Sequence, residues 1–231
     1  MHYLLRIALA IIELLTLLVL SYSQVIEAYP AGGGAYAVSR ANLGATVSQL
    51  AAGTLVVDYT LMGAISISAG VEALTSAFPV LLPWALPICL AILALITVMN
   101  LRGVGESARA FLLPTMVFIV GLLGLLAWGF LHPTRAAVRP PPPAKPMALF
   151  FLLTAFATGC TALTGVEAIA GGVPLFREPR QLRAKPTEWL LGAILGLMLL
   201  GLPLITIHFG VAPGGAQTML SKVMVAAVGR S

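Results

Sequence analysis

Charged residues are scarce in this chain. Lys and Arg number 13 and Asp and Glu 8 among 231 residues, a charged fraction of 9%. Soluble domains carry roughly 25%, so a water-facing surface cannot be clothed and a soluble enzyme or soluble binding module is excluded. Aspartate occurs once, at Asp58. A membrane aspartyl protease needs two, and prenyl transfer needs Asp-rich Mg²⁺ motifs, so both chemistries fall away. No serine sits in a nucleophile elbow that His208 could serve. The two cysteines, Cys89 and Cys160, lie in separate apolar stretches without CxxC or metal-ligand spacing. They read as small buried hydrophobes rather than a disulfide or a zinc site. Gly32, Gly34 and Ala37 fit G-x-G-x-x-A formally, but a dinucleotide site needs a strand before and a helix after, and apolar spans flank this one.

Apolar sequence is what the chain has instead. Hydrophobic residues make up 59% and the mean hydropathy is +1.01. Runs of about 20 apolar residues match the hydrocarbon core of a bilayer, so the expected class is an all-α polytopic membrane protein with the lipid bilayer as its partner. Six spans are expected, at about 4–22, 47–78, 83–100, 110–131, 147–176 and 189–209, within one transmembrane domain. The second exceeds the bilayer thickness and must tilt or project. The first follows a short basic start, but it contains Glu13 and lacks a small-x-small cleavage site, unlike a cleaved signal.

Between the spans, "SQVIEAYPAGGGAYAVSRANLG" reads as a polar glycine-rich loop and "HPTRAAVRPPPPAKP" as hydrated polyproline. "REPRQLRAKPTE" reads as a charged loop. The tail 210–231 is too short to span again; Met219, Val223 and Ala226 suit one side of a surface helix. The net charge of +5 reports orientation rather than nucleic-acid binding. Arg40, Arg102, Arg109, Arg177, Arg180, Arg183 and Lys185 follow spans one, three and five. The opposite side holds Arg6, Arg135, Arg139, Lys145, Lys222 and Arg230. The loops after spans one, three and five are therefore expected in the cytoplasm of a multi-pass cell-membrane protein.

Acids within such spans stand out. An ionised carboxylate at mid-membrane costs about 2.5–3.5 kcal/mol on insertion scales, so it normally faces a bundle interior or a watery cavity. Glu13 stands alone in a lipid-like helix, and Glu72 is near enough to a span end to reach water. Asp58 is more informative. It adjoins Tyr59, shares a helical face with Met62, and has Ser66 about a quarter turn away. Such oxygens suit a hard cation. Glu167 is the most informative of the four. Gly159, Gly165, Gly171 and Gly172 surround Thr161, Thr164 and Glu167, and each interior glycine weakens a helix by about 0.8–1.0 kcal/mol relative to Ala. A helix broken near 159–166 is expected, where unwound backbone and a carboxylate meet a ligand. Close packing through small residues is the competing reading.

These residues carry a resemblance. "YPAGGGAYAVSRANLG" resembles the Pro-x-Gly-Gly-x-Tyr loop of the amino acid–polyamine–organocation (APC) superfamily of permeases. "CTALTGVEAIAGGVPLFREP" is similar to the broken sixth helix of the branch holding the KUP/KimA-type potassium–proton symporters and related bacterial amino acid permeases. The resemblance runs from about residue 4 to the tail. It implies a partial inverted-repeat (LeuT-like) fold whose six spans match family helices two to seven, with family helix one and helices eight onward absent. A truncated frame or gene fragment is the implied reading of the chain's extent, and a homodimer that of the complete protein.

By the same resemblance, Asp58, Tyr59, Ser66, Thr164 and Gly165 bind substrate, a monovalent cation lying between Asp58 and Thr164. Glu167 couples it to protons. No cofactor is implied beyond a proton or monovalent cation as coupling ion. Met62 departs from the hydroxyl that the potassium branch places one turn after its aspartate. The implied function is proton-coupled uptake of a small cation, with potassium ahead of an amino acid. A non-transporting membrane subunit or inactive fragment is the rival of another class.

Overall fold

The computed structural model describes residues 2–131, 149–211 and 218–228. Nine α-helices are present among the described residues, with short 3₁₀ turns between some of them and no strand. They are α1 (His2–Ala28), α2 (Gly34–Leu43), α3 (Ala45–Ala77), α4 (Ala85–Arg102) and α5 (Val104–Leu131), followed by α6 (Leu149–Cys160), α7 (Glu167–Gly171), α8 (Arg180–His208) and α9 (Met219–Val228). Six helical stretches are long and apolar enough to cross a membrane: Tyr3–Ala28, Ala45–Ala77, Pro79–Arg102, Gly105–Leu131, Leu149–Gly171 and Arg180–His208. Leu113 at 72% exposure, Phe150 at 74% and Leu190 at 60% turn large apolar side chains outward, as lipid-facing residues do. The chain is an all-α polytopic membrane protein.

Two compact units divide it, 1–62 with 144–203 and 63–143 with 204–231. In the first unit α1 is the spine. Ile11, Leu15 and Val19 follow a four-residue spacing that puts them on one face, and they bury themselves with Leu163 and Val166 of the fifth apolar stretch. Gly159 lets α6 close on Ile11, because a Cβ there would strike the Ile11 Cδ1. Further along, Ile26 packs with Ala170, Val173 and Ala184. The end of α1 is tied to the start of α8 by polar contacts. Gln181 Nε2 donates to the Glu27 carbonyl at 3.0 Å and Lys185 Nζ to the Glu27 carboxylate at 2.8 Å.

In the second unit α4 and α5 are joined by a tight turn at Gly103, whose φ of +128° favours glycine. The Ser107 hydroxyl donates to Asn100 Oδ1 at 2.9 Å across that turn. Leu122, Leu126, Ile205, Phe209 and Val223 are buried. Gly129 leaves room for the Ile205 side chain.

Three stretches differ from the sequence expectation. The glycine-rich segment after the first span is not all loop, since its second half folds into α2 once Gly32 and Gly33 have turned the chain at positive φ. The first helix runs on to Ala28 and the last long helix begins at Arg180 rather than Trp189. Helical continuation keeps the backbone hydrogen-bonded, while the long basic side chains reach outward to water. On α9, Val223 is buried, while Leu220 and Met224 share an apolar groove with Val117, Phe118 and Trp128 of α5. The side chain of Ala226, the polyproline segment, Met147, Arg135, Arg139, Lys145 and Arg230 lie outside the described residues.

Candidate functional site

The fifth apolar stretch does not run as one helix. α6 stops at Cys160, a 3₁₀ turn covers Thr161–Leu163, and Thr164 is extended at φ −65° and ψ 134°. Gly165 then takes φ +98°, a left-handed conformation that L side chains rarely adopt, before α7 begins at Glu167. The peptide N–H of Gly165 donates to Glu167 Oε2 at 3.0 Å. That bond fixes the carboxylate at the break. Its other oxygen, Oε1, is buried without a hydrogen-bond partner.

The far end of this short helix is braced by the glycine-rich segment. Gly33 N–H donates to the Gly171 carbonyl at 3.3 Å. A Cβ at Gly32 would overlap the Pro174 ring and approach the Gly171 carbonyl oxygen to 2.9 Å, so only glycine permits that contact. The two motifs singled out in the sequence therefore touch.

At the break a cavity of about 310 Å³ is lined by Leu14, Leu18, Tyr22, Leu55, Asp58, Cys160, Leu163, Thr164 and Glu167. Asp58, Thr164 and Glu167 thus meet at one opening, from α3 on one side and the broken helix on the other. The Tyr59 phenol is within electrostatic reach of Glu167, Asp58 and Tyr22. Gly165 does not line the cavity but its peptide N–H donates the hydrogen bond to Glu167. Ser66 is not a lining residue. It falls in the second unit, about 12 Å further along α3 at 1.5 Å per residue. Glu13 and Glu72 are exposed on their helices.

Two residues here escaped the sequence reading. Tyr22, taken only as the end of the first span, points into the cavity and is within electrostatic reach of two glutamates, Glu167 and Glu188. Glu188, assigned to a charged loop, is fully buried, at 0% exposure, with neither carboxylate oxygen hydrogen-bonded. The signal for it was present. Ala184, Glu188, Gly192 and Gly196 recur every four residues, a stripe on one face of a helix that begins earlier than the apolar run.

A bundle of apolar helices, one of them unwound around a carboxylate, is the architecture of a polytopic membrane protein with a polar site inside it. A family profile described as amino acid permease matches residues 2–230, and the chain belongs to that family, within the APC superfamily. Over 236 residues it is 40% identical to the potassium transporter KimA of Bacillus subtilis (strain 168), with 99% of this chain aligned. The alignment covers 39% of that relative, so the chain spans about two fifths of its length.

Proposed function

We propose that this chain forms part of the core of a proton-coupled secondary transporter that takes up a small cation, potassium before others. The cavity at the helix break is the observation that carries the reading. It gathers a carboxylate from α3, the extended Thr164, Glu167 and Tyr22, with Tyr59 close by. Oxygen donors of this kind suit a hard monovalent cation. Asp58 and Thr164 would hold the ion, with the Tyr59 hydroxyl beside it. Glu167, a carboxylate at the helix break with Oε1 buried, would exchange the proton. Membership in a permease family and the name of the KimA relative support transport over a scaffold role. The contacts of Glu27 with Gln181 and Lys185 put the loops after spans one and five at one end of the first unit. With their Arg and Lys excess, that end would be cytoplasmic.

An amino acid is the second reading. The family description favours it, and 310 Å³ reaches the lower limit of about 300 Å³ for small-molecule pockets. Both cargoes present a cation to Asp58, an ion in one case and an ammonium in the other.

Binding of radiolabelled rubidium and of amino acids to the purified chain, with flux in proteoliposomes under an inward proton gradient, separates these readings. Asp58→Asn is expected to weaken cation binding at least about tenfold, the loss of a charge-assisted contact of about 1.5–3 kcal/mol. Glu167→Gln is expected to keep the fold and remove the dependence on the proton gradient. Amino acid binding without cation binding would establish the second reading. Indifference of both binding and flux to both substitutions would remove the cavity from the function.

A further inference from the structure

Apart from the cavity, α1 and α8 leave a groove of about 190 Å³ between them, running from Trp189 to Gly196, about 10 Å at 1.5 Å per residue. Glycine makes its floor. A Cβ at Gly192 would come within 2.6 Å of Val19 Cγ2, and one at Gly196 would touch Leu15 Cδ2 at 3.7 Å. The Thr16 hydroxyl donates to the Ile12 carbonyl of its own helix at 2.9 Å, so the depth of the groove is apolar. Its volume falls below the about 300–1,000 Å³ of small-molecule pockets. A slender apolar chain fits it, and a compact polar ligand does not.

Trp189 lines the end of the groove nearer the start of α8 and is 47% exposed. An exposed Trp near the end of a membrane span marks the headgroup level. One turn earlier on the same face of α8, Lys185 Nζ lies 2.8 Å from the Glu27 carboxylate, so an ion pair joins the two helices beyond the groove. Four cations precede Trp189 at this end, Arg177, Arg180, Arg183 and Lys185, against two surface acids, Glu27 and Glu178; Glu188 is buried. Arg180 pairs with Glu178 at 3.0 Å and Lys185 with Glu27. Arg177 and Arg183 are exposed and have no ion pair among the described residues. Arg183 is six residues before Trp189, about 9 Å along the axis, a separation that its long side chain and a headgroup span together.

We propose that this groove binds one anionic phospholipid, with an acyl chain lying along Gly192 and Gly196 and the phosphate held by Arg183 and Lys185 near the level of Trp189. Guanidinium groups match phosphate oxygens in pairs, and basic pockets between membrane helices collect anionic headgroups. The charge excess decides the headgroup. A zwitterionic lipid would bring a cation of its own to an end whose two surface acids are already paired, whereas an anionic lipid neutralises the unpaired arginines. The site does not depend on the function proposed above.

Native mass spectrometry of the full chain in neutral detergent, with phosphatidylglycerol and phosphatidylcholine of identical acyl chains, tests this. One phosphatidylglycerol should be retained at least about tenfold more tightly than phosphatidylcholine, as charge-assisted contacts provide. Arg183→Gln should remove most of that preference, and Arg109→Gln, in the second unit, should leave it intact. Gly196→Leu should fill the groove and displace the lipid; should that variant fail to fold, Ala193→Leu fills the same space. Equal retention of the two lipids overturns the proposal. So does undiminished retention of phosphatidylglycerol in a folded chain with the groove filled. Equal losses in Arg183→Gln and Arg109→Gln would reduce the effect to general surface charge and overturn the site. Glycerol phosphate that binds as tightly as the whole lipid would show a free phosphate site and overturn the groove's part.

Discussion

Replacement of Gly165 by Ala isolates the backbone contribution to the site. No atom lies within 4 Å of the position a Cβ would take, so the substitution meets no steric obstacle. What it meets is a φ of +98°, where an L residue pays about 1–2 kcal/mol. Only part of that is conformational loss already present in glycine, whose freer unfolded chain accounts for about 0.4–1 kcal/mol in the opposite direction. A net destabilisation of about 1 kcal/mol follows, or about 2–4 °C in the unfolding midpoint for a chain of this size. Cys89 and Cys160 are free thiols of intermediate exposure, so a thiol-reactive dye in detergent reports the transition without added labels.

The functional loss should exceed the stability loss. A backbone that relaxes towards negative φ turns the Gly165 N–H away from Glu167 Oε2, now 3.0 Å distant. The carboxylate would then lose its peptide donor, at a cost of about 1.5–3 kcal/mol for a charged acceptor. Gly165→Asn should be milder in both measurements, because asparagine enters the left-handed region more readily than alanine. If Ala and Asn behave alike, or if Ala raises the midpoint, the left-handed turn is not what organises the break.

Two further outcomes follow from the packing of α1 and α8. Gly192→Ala places a methyl group 2.6 Å from Val19 Cγ2 and should destabilise by about 1–3 kcal/mol through overpacking. Val19→Ala should restore the midpoint in the double variant, and a lack of rescue would show that the contact is not the cause. Lys185→Ala removes a 2.8 Å ion pair whose partners' side chains are 36% and 69% exposed. Solvent and salt screen such pairs, so no resolvable change in midpoint is expected at physiological ionic strength; a clear loss would mean that the pair anchors the helix ends.

The membrane spans were legible because apolar length is a property of local sequence, and the helix break because glycine acts through its own backbone. Asp58 and Glu167 could be associated only through the family resemblance, since no spacing rule connects residues 109 positions apart. Ser66, which the resemblance assigns to the site, lies about two turns beyond Asp58 on α3 and outside the lining of this cavity. Glu188 was missed for a different reason. Arg, Lys and Pro around it made 177–188 read as loop, yet α8 starts at Arg180 and carries those charges outward while one acid faces in. The helical second half of the glycine-rich segment was hidden in the same way, since its helix is supported by contacts with α7 that lie far off in sequence.

At five residues, α7 makes under one and a half turns, far below the length at which a helix persists unaided. Its orientation is borrowed from what it leans on, Ile26 on one flank and the Gly32–Gly33 turn at its tip. Glu167 opens that short segment and must travel with it. A slide of α1 by one ångström would therefore be delivered to the carboxylate as a displacement of the whole segment. Mechanical input reaches the chemistry here through a lever too short to bend.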